Sequence, residues 1–478
     1  MISIQTVVRR LGVLTLRLHT RSINSNLSFR GVKMKTIKVA VCSLVSLWGA
    51  CNTGLCNDTL AIVGAKIITL AGDPIEKGTI IVRDGKIEAV GADIKVPLEA
   101  KVLDVSGQVV MPGFIDPHTS EGMGQANERN ENVPFLSVVD GIDPVMEFFE
   151  ECRRSGVTTA AIVPGNSTLI GGQGVVLKTS GQYVNDMIVK RDAGMKISLR
   201  PTSGSRMGHI SKLRRELEKA KLAVEKKNQP EAEKTEKPAE STGEATTDQK
   251  PAEQPVENKG EAPAEGTAQP SAAELSRGQD AMMAVVQGKL PVFLYCDTAM
   301  DVTTAQSLVK EYSLNATLVL GRGTYKAAEL LKGAKQPVVL DPTLIFWETD
   351  PRTKKDTKIV LTKVFQEAGV PFVFQTSESS ARTTSASSYF WYQAAVAVKN
   401  GMPEAEALKA LSLVPAKMLG IDEFVGSIEV GKDADLVILT GEPLKLETWI
   451  EKTIVRGEVV YDRSKDEKLA RLLSPSAE

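Results

Sequence analysis

Side chains that could bind a metal ion end one apolar run near residue 118. The run, MPGFIDPHTSEG at positions 111–122, carries Asp116, His118 and Glu121, with Ser120 two residues after the histidine. Imidazole and carboxylate groups hold divalent cations such as zinc, whereas a hydroxyl binds these cations far less well. Only three histidines occur in the 478 residues. A metal centre that needs four imidazole ligands therefore cannot be assembled from this chain.

A cysteine and an aspartate end a second run, VFLYCDT at positions 292–298. Cys296 could act as a nucleophile only with a base beside it, and the chain has few histidines to serve as that base. We therefore expect Cys296 to be a buried core residue. Asp297 and Glu121 remain the candidate catalytic residues.

Glycines cluster in the stretch GGQG at positions 171–174. The sequence predicts a loop here, in which the backbone N–H groups of Gly171, Gly172 and Gly174 could bind a carboxylate or phosphate. A conformational requirement of a turn is the alternative interpretation. His209, by contrast, follows Gly208 at the start of a predicted helix, and we expect it to lie on the surface.

Strand-like and helix-like runs alternate through the middle of the chain. The strand-like runs are FIDPHT, TTAAIVPG, MKISLRP, LPVFLYC, ATLVLG, QPVVLDP and PFVFQTS, and the helix-like runs include PVMEFFEECRRSG, AQSLVKEYS, YKAAELLKG and EAEALKALSLVPAKMLG. This alternation predicts an α/β fold with a parallel sheet, and the number of repeats indicates a barrel. Both chain ends are richer in short strands, with predicted hairpin turns at Asp84-Gly85 and Arg456-Gly457.

The amino-terminal residues are typical of a targeting segment. Lys35 and Lys38 precede an apolar run at 39–48, and small residues follow it. This pattern predicts a secretory signal peptide, because the apolar run is too short to span a membrane. We expect cleavage near residues 54–56 and an exported protein, periplasmic or extracellular. A lipid anchor on Cys51 is the weaker alternative.

One internal segment lacks the residues of a folded core. Positions 226–273 contain Val256 as their only large aliphatic residue and no aromatic residue. Such a composition cannot bury enough surface to offset the entropy of ordering, so the segment is predicted to be disordered. The preceding residues, HISKLRRELEKAKLAVEKK, have helical spacing and form a predicted stalk. The insertion is either a tolerated surface loop or a tether for a partner.

Two motifs at opposite ends of the chain resemble one known family. MPGFIDPH at 111–118 and GSIEVGKDADLVIL at 426–439 are similar to signatures of the amidohydrolase superfamily, in particular its exported imidazolonepropionase-like members. The resemblance implies a (β/α)8 TIM-type barrel flanked by a small β-sandwich built from both chain ends. It also implies hydrolysis of a non-peptide C–N bond, in a cyclic amide or a dipeptide-like substrate, by a metal-activated hydroxide.

The resemblance divides the chain into segments. The predicted segments are a leader and signal peptide at 1–56, the first part of the sandwich at 57–110, the barrel at 111–423 with the insertion at 226–273, the second part of the sandwich at 424–462, and a tail at 463–478.

The sequence departs from the family pattern at most metal positions. Ser120 replaces the second histidine of strand 1, strands 5 and 6 lack their histidines, and Ser377 stands where strand 8 of relatives carries an aspartate. Lys196, on a probable fourth strand, is a candidate for the bridging lysine of such sites, although a solvated or ion-paired lysine is the plainer interpretation. Arg322, at the histidine position of strand 6, joins Ser377 as a candidate ligand-binding residue. His118 and Ser120 are then the remnant of a metal site.

Three functional hypotheses follow from these departures. The chain is a degenerate or metal-independent amidohydrolase, a non-catalytic barrel that binds a ligand or partner, or an active hydrolase with one metal and atypical ligands. The first two need no cofactor, and the third needs a single divalent ion such as zinc. The expected partner is a small molecule at the barrel mouth. A net charge of −1 argues against nucleic acid, no membrane span is predicted, and homo-oligomerisation is left open.

Overall fold

The structure is a computed structural model that describes residues 59–228, 270–333, 337–376 and 390–473. The predicted leader at 1–56, most of the predicted insertion, and Ser377 lie outside these residues. The described strands form two large sheets and one hairpin. Within the described ranges no helix is long and apolar enough to cross a membrane.

Eight strands from both chain ends form one sheet, here called the end sheet. They are β1 (Thr59–Ile67), β2 (Ile75–Arg83), β3 (Lys86–Gly91), β4 (Lys101–Asp104), β5 (Val109–Pro112), β16 (Leu436–Leu439), β17 (Ile450–Val455) and β18 (Glu458–Asp462). The two ends meet where β5 pairs antiparallel with β16, with Met111 opposite Val437. One core cluster includes Ile62 and Val110 from the first end and Ile438 and Ile454 from the second. The two ends therefore share one core.

Both predicted hairpin turns of the end sheet are confirmed. Asp84-Gly85 joins β2 to β3, and Arg456-Gly457 joins β17 to β18. All four residues have positive φ, between 49° and 79°. Such dihedrals are those of a two-residue turn whose twist matches the twist of paired strands, and they favour glycine and aspartate.

Eight further strands form the central sheet. In spatial order they are β6 (Phe114–Thr119), β7 (Val157–Ile162), β8 (Ile170–Lys178), β9 (Ile188–Ser198), β10 (Val292–Thr298), β11 (Ala316–Gly323), β12 (Val338–Val339) and β15 (Phe372–Val373). The remaining strands, β13 (Ile345–Thr349) and β14 (Asp356–Val360), pair as a separate hairpin.

The chain thus has a mixed α/β fold, but the central sheet differs from the predicted (β/α)8 barrel in two ways. β8 runs antiparallel to both of its neighbours, β7 and β9. In addition, no backbone pairing joins the edge strands β6 and β15 among the described residues. The antiparallel strand replaces the helix expected after β7, because the long apolar run from Ile170 to Lys178 pairs with strands on both sides.

The helices lie between the strands of the central sheet and after them. They are α1 (Glu147–Arg154), α2 (Val184–Met187), α3 (Arg206–Asn228), α4 (Ala272–Val286), α5 (Ala299–Tyr312), α6 (Leu361–Glu367), α7 (Phe390–Lys399), α8 (Glu404–Leu411), α9 (Leu413–Leu419) and α10 (Glu467–Leu473), with 3-10 turns at Val138–Gly141, Thr324–Leu331 and Arg463–Lys465. Phe149, Leu213, Val302 and Phe365 on these helices share one buried cluster with one face of the central sheet.

The other face of the central sheet encloses a separate apolar interior. Every strand of the sheet contributes to this buried cluster, so the sheet curves around a common axis. The contributing strand residues include Ile115, Ala161, Val176, Ala193, Phe293, Tyr295, Val319, Val339 and Val373.

The predicted stalk helix exists, but the predicted limits of the insertion are wrong at both ends. Residues 226–228 continue α3, and α4 already begins at Ala272. The start of α4 is fixed by Ser271 and Glu274, whose side chains and backbone N–H groups bond reciprocally in a capping box. The residues between these helices, 229–269, lie outside the described part of the chain.

A buried ion cluster joins the central sheet to the end sheet. The Nζ atom of Lys178 on β8 lies 2.7 Å from Asp435 and 2.9 Å from Asp433. Lys178 is fully buried, and Asp435 also accepts a bond from the backbone N–H of Arg456. The aspartates of the KDADLV run therefore have a structural role that holds the two sheets together.

Candidate functional site

Two neighbouring strands place polar side chains on the interior face of the central sheet. β9 and β10 pair in parallel, with Lys196 beside Phe293 and Ser198 beside Tyr295. Arg200 stands two residues beyond the end of β9, and its charge acts on the Tyr295 phenol of β10. Because side chains alternate along a strand, Asp297 continues the inward series of Phe293 and Tyr295 on β10. These residues lie at the carboxyl ends of the strands, where ligands bind in open and closed α/β sheets.

The floor of the site is a buried hydrogen-bond chain centred on His118. Lys196 Nζ lies 2.6 Å from His118 Nε2, and His118 Nδ1 lies 2.6 Å from Gln375 Oε1. The Gln375 amide nitrogen donates to Leu340 O at 2.8 Å, so Oε1 is an acceptor. His118 must therefore carry its proton on Nδ1 and accept from Lys196 at Nε2. This chain also links β6 to the residues that follow β15.

Burial sets the charges in this chain. Burial lowers the pKa of Lys196 to about 7. Burial, and then the charge of Lys196, hold the pKa of His118 well below its ordinary value. His118 is therefore a neutral imidazole at neutral pH. Lys196 also lies 5.5 Å from the centroid of the Tyr295 ring, and the imidazole lies 5.8 Å from the Phe293 ring, so aromatic side chains wall the pair.

A second buried contact joins the same two edges of the central sheet. The Thr376 hydroxyl donates to the Asp116 carboxylate and lies 3.2 Å from the Thr119 hydroxyl. The backbone N–H of His118 donates to the other Asp116 oxygen at 3.2 Å. Burial raises the pKa of Asp116 to about 7 despite these bonds. Side-chain hydrogen bonds thus connect β6 to the segment after β15, although no backbone hydrogen bonds pair β6 with β15 in the described residues.

The donor set at His118 does not fit the divalent metal that the resemblance implies. Nε2 is the imidazole atom with a free electron pair, and it already accepts from Lys196. Asp116 is engaged by Thr376 and by backbone. Across the described ranges, no three His, Cys, Asp or Glu side chains are placed to hold one ion. No catalytic step through a metal can therefore be derived from these residues.

Above this floor, Tyr295 separates the buried chain from the charged rim. Its hydroxyl donates to Asp297 Oδ1 at 2.9 Å. Burial raises the pKa of Tyr295, the charges of Asp297 and Asp341 raise it further, and the charge of Arg200 lowers it. Asp297, Asp341 and Arg200 therefore all lie close enough to this phenol to affect its pKa.

The structure separates the two candidate catalytic residues. Asp297 lies half-buried beside Tyr295, whereas Glu121 is exposed. Ser120 is half-buried after β6. Cys296 is fully buried, and burial raises its thiol pKa. The prediction of a core cysteine is therefore confirmed.

The predicted glycine loop is wrong. Gly171, Gly172 and Gly174 are buried within β8, not in a loop. A side chain on Gly174 would meet Val163 Cγ1 at 2.6 Å and Ile162 O at 2.9 Å. Glycine is needed here because β7 and β8 approach closely, and Gly174 pairs with Gly194 of β9. The interpretation of these residues as an anion-binding loop loses its structural basis.

Arg322 stands at the end of β11 but not on its interior face. A side chain on Gly321 would meet the Tyr295 hydroxyl at 2.9 Å, so the neighbouring Arg322 points the other way. Its guanidinium is exposed and lies 5.9 Å from the centroid of the Phe346 ring on β13. Ser377, the other predicted ligand-binding residue, lies outside the described residues.

Two polar residues are more buried than the sequence suggested. Lys196 is neither solvated nor ion-paired, since it is fully buried against His118. His209 is not on the surface, because its ring is buried and Nε2 lies 3.0 Å from Ser198 O. The reason is that α3 packs against the central sheet from its first turn. Gln375 and Arg200 were missed, although both lie in the last residues of the strand-like runs PFVFQTS and MKISLRP, at the end where functional residues gather.

Comparison with known proteins agrees with this fold. Residues 276–460 match the amidohydrolase family. The chain superposes on a crystal structure of an amidohydrolase from Thermotoga maritima with a TM-score of 0.68 and 27% identity, covering 84% of this chain and all of that one.

Curated relatives match over shorter stretches. An imidazolonepropionase from Thermoplasma volcanium is 35% identical over 113 residues, or 22% of this chain and 28% of the relative. A dihydroorotase from Anaeromyxobacter dehalogenans is 39% identical over 62 residues, or 13% of this chain and 14% of the relative. The chain thus spans less than a third of either relative's length. The family match over residues 276–460 and the superposition over 84% of the chain both relate this chain to the amidohydrolase superfamily.

Proposed function

We propose that this protein is an amidohydrolase homologue that binds a small molecule without metal-activated hydrolysis. In this proposal the central sheet is the barrel of the fold, with side chains joining β6 to the β15 edge, and the ligand binds at its mouth above Tyr295. The end sheet is the flanking sandwich. The observation that carries the proposal is the 2.6 Å contact between Lys196 Nζ and His118 Nε2.

The contact argues against the metal-activated hydrolysis that the resemblance implies. A metal-bound hydroxide requires ligands with free electron pairs and an open coordination position. The only imidazole at this site donates through one nitrogen and accepts through the other. For a cation to reach His118 Nε2, the Lys196 side chain would have to move away from the aromatic rings of Tyr295 and Phe293. Lys196 would then lose its hydrogen-bond acceptor. A buried amine without a partner is costly.

The main alternative is hydrolysis of a non-peptide C–N bond with one metal and atypical ligands. Family membership supports this alternative, and relatives are named for such activities. Metal content and hydrolysis distinguish the two proposals. We expect far less than one zinc, manganese or iron per chain after purification without chelator. We also expect no hydrolysis of cyclic amides or dipeptides above background.

A matched pair of variants makes the test specific. His118→Gln removes the imidazole of the site, and His209→Gln removes the other described imidazole, which bonds only to backbone. About one metal per chain that is lost in His118→Gln, retained in His209→Gln and accompanied by a hydrolytic activity would overturn the proposal. Equal and low metal content in all three proteins, without hydrolysis, supports it.

A further inference from the structure

Arg200 occupies a defined place at the carboxyl end of the central sheet. The backbone N–H of Leu199 donates to Tyr295 O at 3.0 Å, which keeps β9 beside β10 beyond the last paired residues. Ser198 is the last residue of β9 and pairs with Tyr295, so Arg200 lies two residues beyond β9 and Asp297 lies two residues further along β10. Both side chains are half-buried. A cation after β9 and an anion on the neighbouring β10 therefore stand at the same end of the central sheet.

Neither Arg200 nor Asp297 forms an ion pair with another residue that the structure describes. Within the described residues no carboxylate lies at ion-pair distance from the Arg200 guanidinium, whereas Arg154 and Arg206 each contact an aspartate. Asp297 likewise contacts no lysine or arginine among these residues, and its Oδ1 atom accepts from the Tyr295 hydroxyl. Partly desolvated charges without partners cost free energy. A ligand of matching charges would offset that cost.

Building on the proposed binding function, we propose that Arg200 and Asp297 recognise a zwitterionic ligand, an amino acid or short unblocked peptide. The ligand carboxylate bonds to the Arg200 guanidinium, whose planar fork suits a carboxylate. The ligand ammonium bonds to Asp297. Tyr295, with its hydroxyl on Asp297 and its ring over Lys196, orients the aspartate and separates the ligand from the buried His118 chain.

The test uses one dipeptide and its two blocked forms. The purified full chain is titrated by calorimetry with L-alanyl-L-alanine, N-acetyl-L-alanyl-L-alanine and L-alanyl-L-alaninamide. We expect the free dipeptide to bind more tightly than either blocked form by about tenfold to a hundredfold, since each block removes one charged hydrogen bond.

Two variants assign each end of the ligand to one residue. Arg200→Met should abolish the preference for the dipeptide over its amide while keeping the preference over its N-acetyl form. Asp297→Asn should do the reverse. Arg352→Met, on an exposed turn of the β13–β14 hairpin, is the matched control and should bind like the wild type. Circular dichroism and melting curves check that each variant is folded.

Two results would overturn the inference. One is no binding of the dipeptide or of free alanine at millimolar concentration; the other is binding that distinguishes neither blocked form. Hydrolysis of the dipeptide by metal-loaded protein, with both preferences intact, would contradict the proposed function and leave this recognition site standing. The two proposals therefore fail separately.

Discussion

Replacing Lys178 by methionine should destabilise the protein strongly. The substitution keeps the length of the side chain but leaves two aspartates of the end sheet without their cation. At an effective dielectric constant of about 20, each of these contacts is worth roughly 6 kcal/mol of attraction. Most of that attraction offsets the desolvation of a lysine that is fully buried. Removal of one partner from such a cluster costs about 3–5 kcal/mol, because buried charge remains without compensation.

The assay is thermal unfolding at neutral pH followed by circular dichroism. We expect Lys178→Met to lower the melting temperature by roughly 4–7 °C. Lys363→Met is the control, since its ion pair with Glu367 has side chains 58% and 66% exposed. That variant should change stability by no more than about 0.5 kcal/mol.

A double variant identifies the cause. Asp435→Asn in the Lys178→Met background removes one of the uncompensated carboxylates and should recover part of the lost stability, by about 0.5–3 kcal/mol of coupling. Acid should have a related effect in the wild type. Burial of Asp433 opposes the shift, but the charge of Lys178 lowers the pKa of this carboxyl. The stabilisation from the contact is therefore fully present above the pKa of Asp433 in the unfolded chain. It is lost as the pH falls through the lower pKa of Asp433 in the folded protein. An unchanged melting temperature in Lys178→Met would refute this reasoning.

Three further predictions concern the site, the end sheet and the insertion. Burial lowers the pKa of Lys196 from 10.5 to about 7, so between these pH values the unfolded chain binds more protons than the folded protein, and the stability should rise with pH. Lys196→Met should remove this rise in melting temperature. A variant with the same pH profile as the wild type would contradict the prediction. Truncation after Gly426 removes β16–β18, so β5 loses its pairing with β16, and cooperative melting should be abolished. A truncated chain that melts like the wild type would contradict a sheet shared by both chain ends. Limited proteolysis should cut first between Asn228 and Pro270 and leave two fragments that co-elute, because α3 and α4 share one core; first cuts elsewhere would contradict the prediction from composition.

Local patterns predicted most of the fold because the forces behind them are local. The hairpins at Asp84-Gly85 and Arg456-Gly457 follow from turn chemistry, and the strand and helix runs follow from hydrophobic periodicity. β8 was missed because a glycine-rich run can be a loop or a closely packed strand. Only the packing of neighbouring strands decides between these two structures, and here Gly174 packs closely against the end of β7. The predicted limits of the insertion were wrong for another reason. The ends of helices depend on capping residues such as Ser271, whose role composition does not reveal.

The candidate site was predictable in position but not in its bonds. The sequence identified His118, Lys196 and Asp297, and it showed that too few histidines are present for a four-imidazole site. It could not show that Lys196 reaches His118, because 78 residues separate them and only the pairing of strands brings them together. Gln375 was likewise indistinguishable from any polar residue after a strand. Burial, which sets the charges of this chain, is also a property of the assembled sheet.

The central claim is that Lys196 occupies the nitrogen of His118 that a metal would need. Nuclear magnetic resonance of protein labelled with ¹⁵N-histidine measures this directly, with His118→Gln to assign the signals. We predict a neutral His118 ring protonated on Nδ1, with chemical shifts that do not change when zinc is added to several equivalents. A ring protonated on Nε2, or an Nε2 resonance that shifts stoichiometrically with added zinc, would contradict the account.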